Sequence, residues 1–576
     1  MKKIKKIIPI LEWLPNYNIS SFRGDCIAGI TVAIILIPQG IAYALIAGLP
    51  PIYGLYCALV PQLVYAVFGS SRQVAIGPVA MDSLIVATGV STLALAGSDS
   101  YISIAILLAF MVGGIQFLLG VFRLGFIVNF LSKPVITGFT SAVALTIGIN
   151  QFRNLFGVNI VQSDQIQYVL ESIWYNIADF NTHTTVIGLV SIVMIILLRK
   201  INKKIPSALI VVVFGILVMR YFGNAINDVS IIENIPSGLP TFSFPELDIS
   251  QMRELLPIAL TLVMVGYLET ISIGKSLESK QDEYKIRPNQ ELIALGLSNL
   301  IGSWFKAYPS TSSFSRSAIN QESGATTGMA SLISVMMVVI TLLFLTPLFY
   351  YLPNTVLAAI IIVAVFGLIN VKETLFLWKA NNLDFWLLVA TFFSTLLFGI
   401  EYGIIIGVGL SLIVLIFRTS RPYVVELGKV PDSDFYRNKD RFSEVLIDKE
   451  ILVFRFDSQL FYANASYFIE ILQMMVENKG AHLKLIVLDA ESINRVDSTG
   501  VEMLKERIRF YQKKDILFYF AGVKGPVRDH LFRGKILDLI TLDHFHMRVN
   551  GAVNYYKKGI KEYENKYANY IHQAYE

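Results

Sequence analysis

Charged residues are scarce in this sequence of 576 residues, of which only 16% are Asp, Glu, Lys or Arg. Ordinary globular proteins carry about 25% charged residues. The deficit falls on the first 420 residues, because charge is concentrated in the stretch that follows, and apolar residues reach 54% of the whole chain. We therefore expect one large membrane domain followed by one soluble domain. This composition excludes a soluble enzyme, a secreted protein and a disordered scaffold.

Cysteine, histidine and nucleotide-binding motifs are also sparse or absent. The two cysteines lie inside apolar runs, which excludes a disulfide framework and a cysteine-rich metal site. No histidine falls in a predicted span, and His544 with His546 fits a solvated loop better than a metal site, because a third ligand is missing. No P-loop or hydrolase motif occurs. We expect no enzyme activity, no cofactor and no ATPase, and the small net charge of +5 predicts no nucleic-acid partner.

Apolar segments long enough to cross about 30 Å of hydrocarbon recur along the first 420 residues. Segments without any charge are 101–122, 328–350 and 354–371. Less uniform candidates are 26–47, 52–68, 124–149, 185–198, 206–222, 255–274, 291–305, 383–399 and 400–417. Two shorter segments are interrupted, one at Gly77-Pro78 and one after Pro309. The sequence thus predicts about fourteen membrane segments.

The positions of lysine and arginine orient these segments. With a cytoplasmic N-terminus, every second loop should be basic, and such loops hold Arg72, Arg123, Arg199, Lys275, Lys372 and Arg418. The opposite loops 154–183 and 223–252 contain acidic residues but no Lys or Arg. This pattern predicts a multi-pass protein of the cell inner (plasma) membrane, embedded in lipid, with both termini in the cytoplasm.

The two interrupted segments occupy the third and the tenth positions of the fourteen, which are equivalent if the chain is a 7+7 inverted repeat. The predicted fold class is therefore an α-helical polytopic membrane protein with a C-terminal cytoplasmic α/β domain. Interrupted helices at matching places in two inverted halves point to the binding site of a transporter.

The interrupted segments carry the residues of a candidate anion site. A helix that starts within the membrane leaves backbone N–H groups unpaired, and its dipole favours an anion there. Gly77 permits close approach of the backbone, and Pro78 suits the first helical turn. The run that ends in Phe314, Ser315 and Arg316 adds hydroxyl groups and one full positive charge. A Pro-kinked helix with satisfied hydroxyls is the alternative interpretation.

Two carboxylates lie inside predicted spans and are candidates for binding a coupling ion. Glu269 lies deep in the eighth segment, and Asp82 lies one turn after Pro78. Buried acids in membrane proteins carry protons or bind Na⁺. Either residue can therefore couple anion movement to an H⁺ or Na⁺ gradient, although Asp82 can also simply satisfy the helix dipole.

The C-terminal stretch alternates between short apolar runs and helical patterns. Strands are predicted at 451–456, 485–488 and 516–521, and helices at 500–513 and 525–534, which indicates a small α/β domain. Asp497-Ser498-Thr499-Gly500 opens the first of these helices. Ser498 or Thr499 is expected to cap it, and a phosphate on Ser498 is the alternative.

Several motifs resemble those of one known family. In the membrane part they are 51–56, 68–72, 38–43, 75–80, 289–292 and 315–317, and in the tail 461–465 and 497–500. Together they closely resemble the sulfate permease (SulP) family, bacterial and plant anion transporters related to animal solute-carrier family 26 and prestin. The tail resembles the STAS domain of that family.

The resemblance implies properties that the patterns above do not. It implies core and gate domains similar to those of uracil permeases, elevator motion and a homodimer. The family's substrate positions match Gln39, Tyr43, Val79, Ser315 and Arg316. Its coupling position matches Glu269, and its regulatory phosphorylated serine matches Ser498.

The expected domains are a cytoplasmic segment at 1–23, a transport domain at 24–420, a linker at 421–441, a STAS domain at 442–558 and a tail at 559–576. The expected function is secondary active uptake of sulfate with H⁺. Na⁺-coupled bicarbonate transport, and exchange of chloride or organic dianions, remain open. A transport-dead sensor that signals through the STAS domain and a nucleobase carrier are further alternatives.

Overall fold

The computed structural model describes residues 7–126, 132–161, 163, 165–201, 206–223, 228–278, 284–367 and 369–558. The chain divides between Ser411 and Leu412 into two units. The expected tail at 559–576 lies outside the described residues.

The first unit is almost entirely helical. Its helices are α1 Ile10–Trp13, α2 Ile19–Ile46, α3 Pro51–Phe68, α4 Ala80–Val90, α5 Asp99–Val121, α6 Lys133–Asn150, α7 Phe152–Phe156, α8 Ile166–Asn176, α9 Thr182–Ile201, α10 Ser207–Phe222, α11 Ile249–Glu278, α12 Pro288–Ser303, α13 Phe314–Glu322, α14 Met329–Ile340, α15 Asn354–Phe366, α16 Val371–Ala380, α17 Asn382–Phe398 and α18 Ile400–Ser420. Two short strands, β1 Ile76–Gly77 and β2 Thr311–Ser312, precede α4 and α13. Within the described residues, nine helical segments are long and apolar enough to cross a membrane, and three further apolar helices are shorter.

Most predicted segments coincide with a helix, and three differ in ways that have a physical reason. Of the segment predicted at 124–149, the described helix is Lys133–Asn150, with Pro134 in its first turn, where proline is favoured. The segment at 328–350 is α-helical only to Ile340 and then widens to a π-turn, because the ring of Pro347 cannot fit against a regular preceding turn. The segment at 354–371 ends at Phe366, before Gly367.

Glycines allow two central helices to approach closely. A Cβ atom on Gly113 of α5 would lie 2.4 Å from the backbone nitrogen of Leu300, and one on Gly296 of α12 would lie 2.4 Å from that of Phe117. Small residues at such contacts are typical of packing between membrane helices. The contact matters for the site because α12 leads directly to β2.

The second unit contains a six-stranded sheet in the order β4-β3-β5-β6-β7-β8. Its strands are β3 Val424–Lys429, β4 Tyr436–Asn438, β5 Ile451–Phe456, β6 Leu485–Asp489, β7 Leu517–Ala521 and β8 Phe545–His546. Its helices are α19 Ala465–Lys479, α20 Ser498–Gln512, α21 Gly525–Arg533 and α22 Val549–Lys558. Strands β5 to β8 run parallel, and helices follow them as the α/β pattern predicts.

Two interpretations of this region are corrected by the structure. Residues 421–441 were expected to be a linker, but they contribute β3 and β4, and β3 pairs with both β4 and β5. His546 does not lie in a solvated loop: it is part of β8, and its ring packs against Tyr519 and Tyr555. Burial lowers the pKa of His546 to about 4.

Candidate functional site

The two interrupted segments meet through their strands. Strands β1 and β2 pair in antiparallel register, with Ile76 opposite Ser312 and Gly77 opposite Thr311. The Ser313 N–H extends the ladder by donating to the Ala75 carbonyl at 3.0 Å. Since α4 and α13 begin within three residues of these strands, the pairing brings their N-termini to one place. The sequence indicated both interruptions but gave no sign of the pairing, because strands of two residues carry no periodicity.

Gly77 and Pro78 shape the start of α4. Gly77 has a φ of 152°, and a Cβ atom there would lie 3.4 Å from Nη2 of Arg316. A side chain at this position is therefore both strained and directed at the guanidinium. Val79 is the N-cap, so Pro78 precedes the helix and does not lie in its first turn, contrary to the sequence prediction. Its role is to fix the extended backbone that leads to the cap.

The N-terminus of α4 is buried but has no side-chain cap. Val79 makes no capping bond, while Ala80 and Met81 in the first turn are buried. Helix α13 differs, because the Ser313 hydroxyl accepts a bond from its Arg316 N–H. The first N–H groups of a helix have no partner within it, and a buried end without a cap requires water or a ligand. The beginning of α4 is thus a ready anion-binding position.

The side chain of Arg316 is fully buried in this region, and part of its guanidinium remains available for hydrogen bonds. Its exposure is 0%, and its Nη1 donates to Oε1 of Gln39 at 3.4 Å. The Nε and Nη2 atoms have no hydrogen-bond partner within the described part of the chain. Gln39 and Tyr43, one turn apart on α2, are buried as well. A guanidinium in this state has two donors available for a negatively charged ligand.

The site is not sealed on all sides. Phe314 and Ser315, which form the first turn of α13, are both exposed, in contrast to the buried Arg316 that follows them. The structure therefore brings Gln39, Tyr43 and Arg316 together in the interior, whereas the first two predicted site residues of α13 face accessible space.

The two predicted coupling carboxylates lie close to this guanidinium. Asp82 is buried, and its Oδ1 has no partner among the described residues, as is also true of Oε2 of Glu269. Glu269 lies within electrostatic reach of both Asp82 and Arg316. It borders a small cavity of about 20 Å³ that is otherwise lined mainly by apolar side chains such as Phe139 and Ile404. Two carboxylates and one guanidinium thus share one enclosed region.

Hydroxyl and amide groups that the sequence did not single out hold β2 in place. The Thr270 hydroxyl bonds to that of Ser312 at 2.8 Å, and the Thr311 hydroxyl donates to the Gly266 carbonyl at 3.0 Å. On the other side, Oδ1 of Asn299 accepts from the Ser310 N–H at 2.8 Å. The only sequence signal was the presence of polar residues in otherwise apolar helices.

Cys57 belongs to the same support. Its thiol donates to the Tyr308 carbonyl at 3.3 Å, just before the interruption. The residue therefore does more than fill space, because an apolar side chain there would leave that buried carbonyl without this bond.

In the second unit, the cap of α20 is Asp497. Its Oδ1 accepts from the Gly500 N–H at 2.8 Å, and its Oδ2 accepts from the Tyr462 N–H at 3.1 Å. The expectation that Ser498 or Thr499 provides the cap is therefore wrong. Both are exposed at the start of the helix, so the Ser498 hydroxyl is not needed for capping.

These features define a class of protein. A multi-pass membrane carrier for anions has these parts: many apolar helices, two half-helices that begin at a shared strand pair, and at their N-termini a buried guanidinium with a single hydrogen bond among the described residues.

The chain belongs to the sulfate permease family: residues 22–391 match the Sulfate permease family, and residues 443–552 match the STAS domain. Members of this family are transporters and not enzymes.

Named relatives and solved structures agree with this membership. The chain is 38% identical to Sulfate transporter 4.1, chloroplastic, of Arabidopsis thaliana, over 96% of this chain and 82% of that protein. It is 33% identical to High affinity sulfate transporter 2 of Stylosanthes hamata, over 96% and 87%. The murine Solute Carrier 26 family member A9 anion transporter superimposes with a TM-score of 0.89 at 27% identity, over 96% and 94%. The transmembrane domain of a cyanobacterium bicarbonate transporter, BicA, shares the fold, with a TM-score of 0.59 at 21% identity over 69% and 98%.

Proposed function

We propose that this protein is a secondary active transporter that takes up sulfate together with H⁺. The observation that carries the proposal is Arg316, which is buried beside two helix N-termini and has two nitrogens without a hydrogen-bond partner among the described residues. Sulfate, with two charges and four acceptor oxygens, suits a guanidinium fork and backbone N–H groups. The names of the plant relatives support sulfate over the other anions.

The proposed binding position lies between Val79 and Ser315, with Gln39 orienting the Arg316 guanidinium. Replacing Ser315 or Gln39 with tryptophan is expected to abolish uptake, because the ring fills the space in front of the helix N-termini. Ser230→Trp, at an exposed loop position, is the matched control and should keep normal uptake. Full transport by both site variants, with membrane expression equal to wild type, would contradict this position of the anion.

Coupling is proposed to depend on Glu269, with Asp82 as the second carboxylate. A proton or Na⁺ bound there offsets the charge that the anion brings into a region of low dielectric. Glu269→Gln should therefore lose gradient-driven accumulation while it keeps anion exchange. Glu254→Gln, at an exposed position of the same helix, should behave like wild type. If Asp82→Asn loses accumulation and Glu269→Gln keeps it, the two roles are exchanged.

The test of the function is uptake of labelled sulfate and labelled bicarbonate into proteoliposomes under an imposed H⁺ or Na⁺ gradient. We expect sulfate to accumulate with the H⁺ gradient. Accumulation of bicarbonate with a Na⁺ gradient, and no movement of sulfate, would instead favour Na⁺-coupled transport of bicarbonate, the anion that BicA transports. Chloride or dianion exchange without any gradient effect would contradict the symport.

An elevator motion is proposed from the way the helices pack. Helices α2, α3, α5, α12 and α14 pack mainly on one another, whereas α6 packs on α17 and α9 packs on α15. The half-helices belong with the first group, so that group can carry the anion past the second. A disulfide between cysteines placed on α4 and α6 should stop transport, and reduction should restore it.

Apart from the linker at 421–441 and the start of the STAS domain at 442, the domain boundaries, a homodimer and the cytoplasmic position of both termini and of the STAS domain remain part of the same proposal. So does residence in the inner (plasma) membrane. Their support is the distribution of Lys and Arg and the expected assembly of the family. Labelling of single cysteines by an impermeant thiol reagent from each side of the membrane tests the topology.

A further inference from the structure

A second cavity lies where three helices of the first unit end. It measures about 200 Å³, well above the space that one water requires, and none of the described residues that line it is charged. Its walls come from the last turns of α2, α4 and α6 and from the segment after α7. The lining residues are Ile46, Leu84, Ala87, Thr88, Ser91, Ile147, Asn150, Gln151 and Ser163.

The cavity is in line with the candidate anion site. On α2, Gln39, Tyr43 and Ile46 are spaced by four and three residues and so share one face. Gln39 contacts Arg316, and Ile46 lines the cavity, which places the cavity about one turn beyond Tyr43. On α4, Leu84 lies one turn beyond the buried helix start and lines the cavity. The two positions therefore lie along one face of α2, with Tyr43 between them.

Neutral hydrogen-bond donors face this cavity. The carboxamide oxygen of Gln151 accepts from Nδ2 of Asn154 at 3.4 Å, which leaves its NH₂ group as the end available to a ligand. Oγ of Ser163 accepts from the Gln165 N–H at 3.1 Å, so its own proton is free to be donated. Asn150 holds Ser163 from both sides, with Nδ2 donating to the Ser163 carbonyl at 2.8 Å and Oδ1 accepting from its N–H at 3.2 Å.

We propose that this cavity is a second anion subsite, at which a small inorganic anion such as sulfate is held by Gln151, Ser163 and Ser91 before it passes Tyr43 to reach Arg316. Asn150 also lines the cavity, but both ends of its carboxamide bond to backbone groups of Thr146 and Ser163, so it is a positioning residue. Neutral donors suit this task, since a transit site must bind strongly enough to capture the ion and weakly enough to release it. The inference rests on the proposed anion transport.

The first test is the KM for sulfate supplied from the face at which Ser91 lies, measured by uptake into cells that express the full chain. Gln151→Glu should raise this KM at least about tenfold, and Gln151→Lys should lower it about threefold, because a divalent anion responds to the sign of a nearby charge. Thr92→Glu and Thr92→Lys, at the exposed residue next to Ser91 that does not line the cavity, should change KM less than about twofold.

The second test does not depend on the transport rate of a variant. Ser91→Cys and Thr92→Cys are placed in a Cys26→Ala chain, and the fully buried Cys57 is kept. Sulfate should slow the labelling of Ser91→Cys by an impermeant anionic thiol reagent and leave that of Thr92→Cys unchanged.

Two results overturn the subsite while wild type still takes up sulfate. One is that sulfate does not change the rate at which Ser91→Cys is labelled. The other is a KM shift of the same direction for Gln151→Glu and Gln151→Lys, which would indicate a structural role. If wild type takes up no anion at all, the proposed function fails instead.

Discussion

Replacing Arg316 with methionine should weaken anion binding without weakening the fold. The guanidinium makes one hydrogen bond within the described residues, to Gln39 at 3.4 Å, and two of its nitrogens have none. A hydrogen bond to a charged group contributes about 1.5–3 kcal/mol. Its loss corresponds to a Kd about 10- to 150-fold higher. A buried charge with few partners is itself unfavourable, so the protein without anion should be as stable as wild type or more stable.

Thermal unfolding of the purified full chain during a sulfate titration separates these effects. Ligand at 100 times its Kd stabilises a protein by about 2.7 kcal/mol, which is a measurable shift in Tm. Wild type should show this shift, and Arg316→Met should show it only at far higher sulfate. Arg220→Met, at an exposed position near the end of α10, should keep the full response. An Arg316→Met protein that loses stability without sulfate but keeps the normal sulfate response would refute the reasoning and make Arg316 a structural residue.

Three further predictions follow from contacts outside the guanidinium. Thr270→Val should reduce the maximal transport rate several-fold with little loss of expression, because it removes the 2.8 Å hydrogen bond that holds Ser312 beside the site. Thr270→Ser keeps the hydroxyl and is the control that should restore the rate. The pKa of His546 in the folded chain, about 4, lies below its ordinary value, so the neutral ring stabilises β8 fully above pH 6.5. This stabilisation is lost as the pH falls towards 4, by about 1–2 kcal/mol after allowance for the partly exposed ring. Hydrogen exchange of β8 measures it, and the His546→Phe variant should not show this loss of stability. Deletion of 421–576 should lower expression or rate and leave the choice of anion unchanged in competition assays, whereas a changed preference would assign selection to the second unit.

The deletion begins at 421 because of a feature that sequence reasoning missed. Strands β3 and β4 lie in a stretch that has turn residues and frequent charges, which reads as a linker. They are strands because β3 pairs antiparallel with β5 and β4 pairs antiparallel with β3 as the edge strand of the sheet. A truncation from 442 would remove β5 and leave β3 on the chain without this partner.

Hydropathy predicted most of the membrane helices, since a lipid-spanning helix must satisfy its own backbone and be apolar over its length. Hydropathy did not predict where local backbone geometry interrupts a helix, as at Pro347. It also did not predict where two segments far apart in the sequence pair with each other. The pairing of Gly77 with Thr311 is such a case. On the α4 side, only Gly77 and Pro78 indicated in the sequence where this pairing occurs.

For the candidate site, the sequence indicated which unusual residues belong to the site but did not indicate what each of them does there. Arg316 and Glu269 stood out because charges are rare inside apolar segments. Thr270 and Asn299 did not, because a single hydroxyl or amide in a membrane helix most often bonds to its own backbone. Their contribution depends on the position of β2, which the sequence alone does not give.

The most direct test of the central claim is the position of a bound anion in an experimental structure of the full chain. Selenate has the shape and charge of sulfate, and its selenium can be located by anomalous scattering. The account predicts one peak within hydrogen-bond distance of the Arg316 guanidinium, between the first turns of α4 and α13, and its loss in Arg316→Met. A peak elsewhere in the first unit, with none between these two helix N-termini at saturating selenate, would contradict it.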